Sequence, residues 1–335
     1  MQVADGSFEA LLDCIAGRPN CSNDWFAILA LANAHQIAPA LSQTLRRNGQ
    51  TPSDVIEYVD FLANATERRN RRLLSQLSDA ASALNAREIV PLVLKGAALL
   101  LTSPIFVRTR LMYDLDLLVR HHDVEVTRIA LADAGYRMLG ETNDGMHALF
   151  DLGKAGEIVA IDIHVHPPCP DGFDNIDRLW QMSMISQALG GSIRVPPPSY
   201  TVFHQALHDE IHELNCFRGR INLKHLTDLV LLRSSGHNWE WSEVMSLCSN
   251  APSSQAIAIY ASACHDLLGQ VDAGVACNRA AHRAISRRRF QARHQWLRLP
   301  MTVMEMTAAL ISGNATRQML AWDLIAGRFG LRPKT

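Results

Sequence analysis

The run Arg110-Leu-Met-Tyr-Asp-Leu-Asp-Leu-Leu-Val119 constrains this chain more than any other segment. Residues of a strand alternate between faces, so Asp114 and Asp116 point one way while Leu115, Leu117 and Val119 point the other. The run therefore asks for a sheet strand with one apolar face, and it aims two oxygen ligands at one point. Like charges so close repel, and a hard cation such as Mg2+ relieves the repulsion. The competing reading is the solvated face of an edge strand.

Around this run the hydrophobic period changes twice. Residues 1–86 read as a helical region. Phe8, Leu11, Leu12 and Ile15 keep helical spacing, as do Phe26, Ile28, Leu29 and Leu31. The stretch 55–86 continues the pattern, with Arg68, Arg69, Arg71 and Arg72 on a solvent side above Leu73, Leu74 and Leu77. From 87 to 198 short apolar runs alternate with turn signals. They predict strands at 89–94, 114–119, 136–140, 147–152 and 157–165, and helices at 96–102 and 123–134, the second closed by Gly135. Gly153-Lys-Ala-Gly156 joins the last two strands as a hairpin. The fold class this implies is α/β (α+β), a core with a mixed sheet between helical flanks. Pro196-Pro-Pro198 ends it, and 199–335 reads as a helical domain with one stripe at Val202, Ala206, Leu207, Ile211 and Leu214 and another at Leu226, Leu229, Val230 and Leu232.

Charge and cysteine content narrow the partners. With 32 basic and 33 acidic residues the net charge is -1, so no global field draws the chain to extended nucleic acid or to an anionic membrane. The 7 cysteines are scattered without a Cys-x-x-Cys pair, which points to reduced thiols in the cytoplasm and away from structural zinc. The N-terminus carries Asp5, Glu9 and Asp13 instead of a basic start and an apolar core, so no secretory signal is expected. Lys95, Gly96, Ser103 and Pro104 interrupt the apolar stretch 89–107, which rules it out as a membrane span.

Two further segments join the acid pair. In Leu94-Lys95-Gly96-Ala97-Ala98 a strand end passes through small residues into a helix, where backbone N–H groups can approach a phosphate and Lys95 can add a point charge. In Ile161-Asp-Ile-His164 a third carboxylate, Asp162, stands on a strand able to lie beside the first pair. Three acids and a small-residue turn are the parts for metal-assisted nucleotidyl transfer.

The order Leu-Lys-Gly-Ala, then Arg-x-x-x-Asp-Leu-Asp-Leu-Leu-Val, then Gly135-Tyr136, then Asp-Ile-His resembles the uncharacterised nucleotidyltransferase family of the DNA polymerase beta-like superfamily. The resemblance runs from about residue 60 to 245, through Phe203-His-Gln-Ala-Leu-His208, Lys224-His-Leu-Thr-Asp228-Leu and Trp239-Glu-Trp241. It implies a polymerase beta-like core and a Mg2+- or Mn2+-dependent transferase. Such an enzyme moves an NMP group from an NTP, ATP among the choices, to a small-molecule, peptide or RNA-end acceptor. Carried onto this chain, it makes Asp114, Asp116 and Asp162 the catalytic metal ligands, with Asp162 also the base for the acceptor. Lys95, Gly96 and Ala97 take the phosphate turn, and Arg110 contacts phosphate or pairs with an acid of the strand. His164 and His208 complete the expected nucleotide-side contacts. Two positions depart from the pattern: Ala97 replaces the usual Ser or Gly, and Val165 stands where Trp is common.

Three other features compete for a role. Asp162-Ile-His164-Val-His166 with Asp171-Gly172 imitates the His-x-His metal strand of hydrolases, but the helical sequence downstream cannot close their barrel. His204, His208 and His212 recur at helical spacing like a metal stripe without the Glu of a His-Glu-x-x-His motif, so packing is the expected role of most. Lys224 and Asp228, one turn apart, are expected to pair. Arg283, Arg287, Arg288, Arg289, Arg293 and Arg298, with Phe290 and Trp296 among them, offer either a polyanion surface or a solvated helix face, the neutral total favouring the latter. A non-catalytic nucleotide-binding or interaction protein is the remaining class.

Overall fold

Among the residues described by the computed structural model, 6–18, 24–49, 51–142, 149–168, 173, 175–314 and 317–321, the expected core forms. Its strands are β1 (Leu92–Val93), β2 (Asp114–Leu118), β3 (Arg137–Glu141), β4 (Phe150–Gly153), β5 (Ala160–His164), β6 (Met184–Ser186) and β7 (Ile193–Val195). They build one mixed sheet in the order β3-β4-β5-β2-β1-β7-β6, with β2 parallel to β5, β1 parallel to β7, and the other neighbours antiparallel.

The strand expected at 89–94 shrinks to two residues because Pro91 has no N–H to give the ladder; its carbonyl accepts from the Arg194 amide at 2.8 Å instead. β6 and β7 escape the sequence reading because three-residue strands are too short to display a period. The helices expected at 96–102 and 123–134 run over Lys95–Thr102 and Val124–Asp133. After β7 the chain is helical throughout its described residues, starting with Pro198–Leu207, where Pro198 occupies the first turn and loses no hydrogen bond.

The long helix Ser53–Asn85 lies against the core and is bonded into it along its length. Arg69 donates to the Met112 carbonyl at 3.0 Å, Asn70 to that of Arg110 at 2.7 Å, Gln76 to that of Val159 at 3.0 Å, and Asn85 to that of Ser192 at 2.9 Å. Of the four arginines expected on its solvent side, Arg69 therefore turns inward, and with Asn70 it fixes the segment that leads into β2.

The arginine-rich helix Arg279–Arg293 is divided: Arg279 and Arg283 stay exposed to solvent, while acids from distant elements pair with four others. Buried Arg288 makes two 2.6 Å bonds to Glu210, Arg289 and Arg293 both reach Glu9, and Arg287 pairs with Glu305. Cys14, Cys216, Cys248, Cys264 and Cys277 are free thiols. Among the described residues no helix is long and apolar enough to cross a membrane.

Candidate active site

Parallel pairing of β2 and β5 sets Asp116 opposite Asp162 and Leu118 opposite His164. Paired residues share a face, so Asp114, Asp116, Asp162 and His164 stand together, while Leu115, Leu117, Ile161 and Ile163 are fully buried on the other side. The three carboxylates offer oxygens that all lie within 4.8 Å of one another. Antiparallel β4 adds Asp151 opposite Asp162, an acid the sequence reading passed over.

Asp116 is 1% exposed and is the electrostatic centre of the group. Its Oδ1 accepts from Lys95 Nζ at 2.6 Å and lies 3.0 Å from His164 Nε2; its Oδ2 is buried without a hydrogen bond. Burial alone raises its pKa, but the Lys95 ammonium and His164 outweigh burial and hold it well below the usual carboxylate range. Asp162 lacks such a partner. Burial first, then the charges of Asp116, Asp151 and Asp114, push it up to about 7. Burial and the neighbouring Asp116 raise Asp114 as well.

Lys95 opens the Lys95–Thr102 helix with φ 48, a left-handed conformation rare for a residue with a side chain. The first amides of that helix, from Lys95 through Ala97, have no carbonyl one turn earlier to accept them, which leaves donors at the turn. Ala97 is fully buried, so its methyl packs in the core. A Cβ at Gly96 would stand 2.2 Å from Met112 Sδ, so a larger residue there would have to displace the flexible end of the Met112 side chain.

Arg110 is buried, but its acid partner is neither Asp114 nor Asp116. It is Asp228 of the Leu223–Ser234 helix, with Nη1 to Oδ2 at 3.1 Å. Its Nε has no hydrogen bond and faces the Gly96 turn. Asp228 also accepts from Gln205 Nε2 at 3.0 Å. The pair expected between Lys224 and Asp228 gives way to this arrangement. Lys224 Nζ instead donates to Gln36 Oε1 at 2.9 Å and lies 5.3 Å from the centre of the Tyr113 ring. Burial, then Arg110, depress the Lys224 ammonium to about 8. A cavity of about 190 Å³ separates core and helices here, with Lys95, Arg110, Asp114, His208, Lys224 and His225 on its walls. In the sequence Lys224 stood within the resembling segment and as the start of an i, i+4 pair, and neither gave its position in the cleft.

The histidines divide. His164 is buried against Asp116, whereas His166 lies beyond the end of β5 and is exposed, so the two do not converge as a hydrolase metal strand needs. Asp171 and Gly172 lie outside the described residues. His204 is buried, and burial depresses its basicity strongly. His208 reaches the cavity, as expected.

Against known proteins, the profile of a family described as "Uncharacterised nucleotidyltransferase" matches residues 22–269. The chain belongs to this uncharacterised nucleotidyltransferase family. It is thus a transferase, and NTP is its implied substrate. The match starts well before residue 60 and ends beyond 245, so the helical regions on both sides of the sheet are part of the family's pattern. No curated protein matches. A solved structure titled "Solution Structure of Antibiotic-Resistance Factor ANT(2'')-Ia Reveals Substrate-Regulated Conformation Dynamics" aligns at 14% identity and TM-score 0.35, over 53% of this chain and 90% of that one.

A divalent ion of the kind nucleotidyltransferases use fits the residues present. The donor set of Asp114, Asp116 and Asp162 is all oxygen, which suits a hard cation, and Asp116 Oδ2 is a buried acceptor with no hydrogen-bond donor among the described residues.

Proposed function

We propose that this nucleotidyltransferase moves an NMP group from an NTP to an acceptor hydroxyl or phosphate and releases pyrophosphate, with Asp114, Asp116 and Asp162 holding Mg2+. One observation carries the reading: three carboxylates from two parallel strands converge on one face, and a buried oxygen of the central one has no hydrogen-bond donor among the described residues. When bound, Mg2+ neutralises these carboxylates and offsets the negative charge of the triphosphate.

The chain's own groups do the rest. Amides of the Lys95-Gly96-Ala97 turn and the Lys95 ammonium bind phosphate oxygens, and Arg110 and Lys224 supply charge from the opposite wall of the cleft. Asp162 accepts the proton of the acceptor hydroxyl. The new bond joins that oxygen to the α-phosphorus, and the bond from the α-phosphorus to the α–β bridging oxygen breaks as pyrophosphate leaves. Two core strands and the Leu223–Ser234 helix thus meet at one reacting centre.

The test is a thermal-shift panel of the four NTPs with and without Mg2+ or Mn2+, followed by pyrophosphate release with acceptor pools. Stabilisation by an NTP that needs the metal, and turnover lost in Asp116→Asn while its melting stays cooperative, are the expected results. Turnover retained by Asp116→Asn, or NTP binding indifferent to metal, rejects the reading.

A further inference from the structure

The histidine stripe on the helical wall of the cleft has an acid in it. His208–His212 is a π-helical turn, a geometry that often marks functional sites, and it turns Asp209 inward to 2% exposure. Asp209 Oδ1 accepts from Asn222 Nδ2 at 2.7 Å, lies 2.9 Å from His225 Nδ1, and stands 4.0 Å from His208 Nδ1. Asp209 Oδ2 and His208 Nδ1 are both buried without a hydrogen bond.

We propose that His208, Asp209 and His225 form a binding site for a borderline divalent transition metal ion, with Zn2+ the best match, on the helical wall of the cleft. Ligands about 2.0–2.2 Å from zinc stand no more than about 4.4 Å apart. The 2.9 Å separation is a hydrogen bond that a metal would replace, as it would the 3.2 Å contact of Asn222 Nδ2 with His225 Nδ1, while the 4.0 Å gap to His208 is too long for a direct hydrogen bond and within reach of a shared ion. The three ligating atoms lie within 4.8 Å of one another, so a small contraction closes the set. Two imidazoles and one carboxylate select a borderline ion, unlike the all-oxygen triad on β2 and β5, which selects a hard one. Asn222 already orients the carboxylate, the support that metal ligands usually have. His208 and His225 also line the cavity, so an open coordination position there faces the cleft. The inference goes beyond nucleotide transfer and does not depend on it.

The experiment uses the full chain stripped with chelator and titrated with Co2+ as a spectroscopic probe. In millimolar Mg2+, which occupies the oxygen triad, the expected result is uptake of one equivalent, visible as d–d absorption and displaced by Zn2+. The signal disappears in His208→Ala and in His225→Ala. It persists in Asp116→Asn, which spoils the oxygen triad, and in His282→Ala, which breaks the separate His265–Asp266–His282 cluster. If an alanine variant does not melt cooperatively, His208→Gln and His225→Gln carry the same test. Absence of Co2+ and Zn2+ uptake, uptake that survives loss of His208 and His225, or uptake lost only in His282→Ala overturns the proposal.

Discussion

Lys95 combines a left-handed backbone with an ammonium seated on a buried carboxylate, and both features act on Asp116. In metal-free protein it is the main cation facing a cluster of acids, and their combined field raises its pKa against the opposing effect of burial. Lys95→Met removes that counter-charge while keeping most of the side-chain volume. Losing one partner of a buried pair costs about 3 kcal/mol, so the variant should melt well below the parent without metal, and saturating Mg2+ should recover much of the loss. Urea unfolding with and without Mg2+ measures both; equal losses in the two conditions would mean that Lys95 does not stand in for the metal. At this scale the acids were legible in the sequence. Period-two alternation fixes which face Asp114 and Asp116 occupy, and a parallel neighbour brings Asp162 to the same face. Arg110 was not legible, because its partner Asp228 is distant in sequence and local spacing carries no information about it.

Among the elements, the arginine-rich helix shows that charge patterning does not reveal which arginines are paired. Its sequence reads as a basic stripe, yet Glu210 and Glu9, from other parts of the chain, take up Arg288, Arg289 and Arg293. Glu210→Gln leaves the Arg288 guanidinium buried with no counter-charge and should cost about 3–5 kcal/mol, read from chemical denaturation. Glu9 ties the Ser7–Ile15 helix to the same arginines and gives a milder, pH-dependent effect. Burial alone raises its pKa, but Arg289 and Arg293 outweigh burial and hold it below 4.5. A carboxylate depressed by folding adds stability that is fully present above its unfolded pKa and is lost as pH falls through the folded one. Parent and Glu9→Gln should therefore differ by about 1 kcal/mol at neutral pH and converge in acid, below about pH 4. A gap that stays constant from pH 7 to pH 3 would assign the effect to packing.

At the level of the whole molecule, the division at residues 87 and 198 describes the change of hydrophobic period, while the bonds cross it. The Ser53–Asn85 helix supplies Arg69, Asn70, Gln76 and Asn85 to carbonyls of the core, and Asp228 from the C-terminal helices meets Arg110 at the entry to β2. Removing these helices loses the hydrogen bonds and uncovers the apolar core they cover, and a domain of this size holds only about 5–15 kcal/mol in total. The fragment 87–198 expressed alone should therefore lack a cooperative melt, whereas a fragment that starts at residue 51 and keeps the C-terminal helices should retain one. Differential scanning calorimetry of the two decides the matter, and a sharp transition in 87–198 would make the sheet an independent folding unit. The same contacts bear on activity. Asn70 and Arg69 hold the Arg110–Tyr113 segment from one side and Asp228 grips Arg110 from the other, so the acids of β2 keep their position only while both helical regions remain docked.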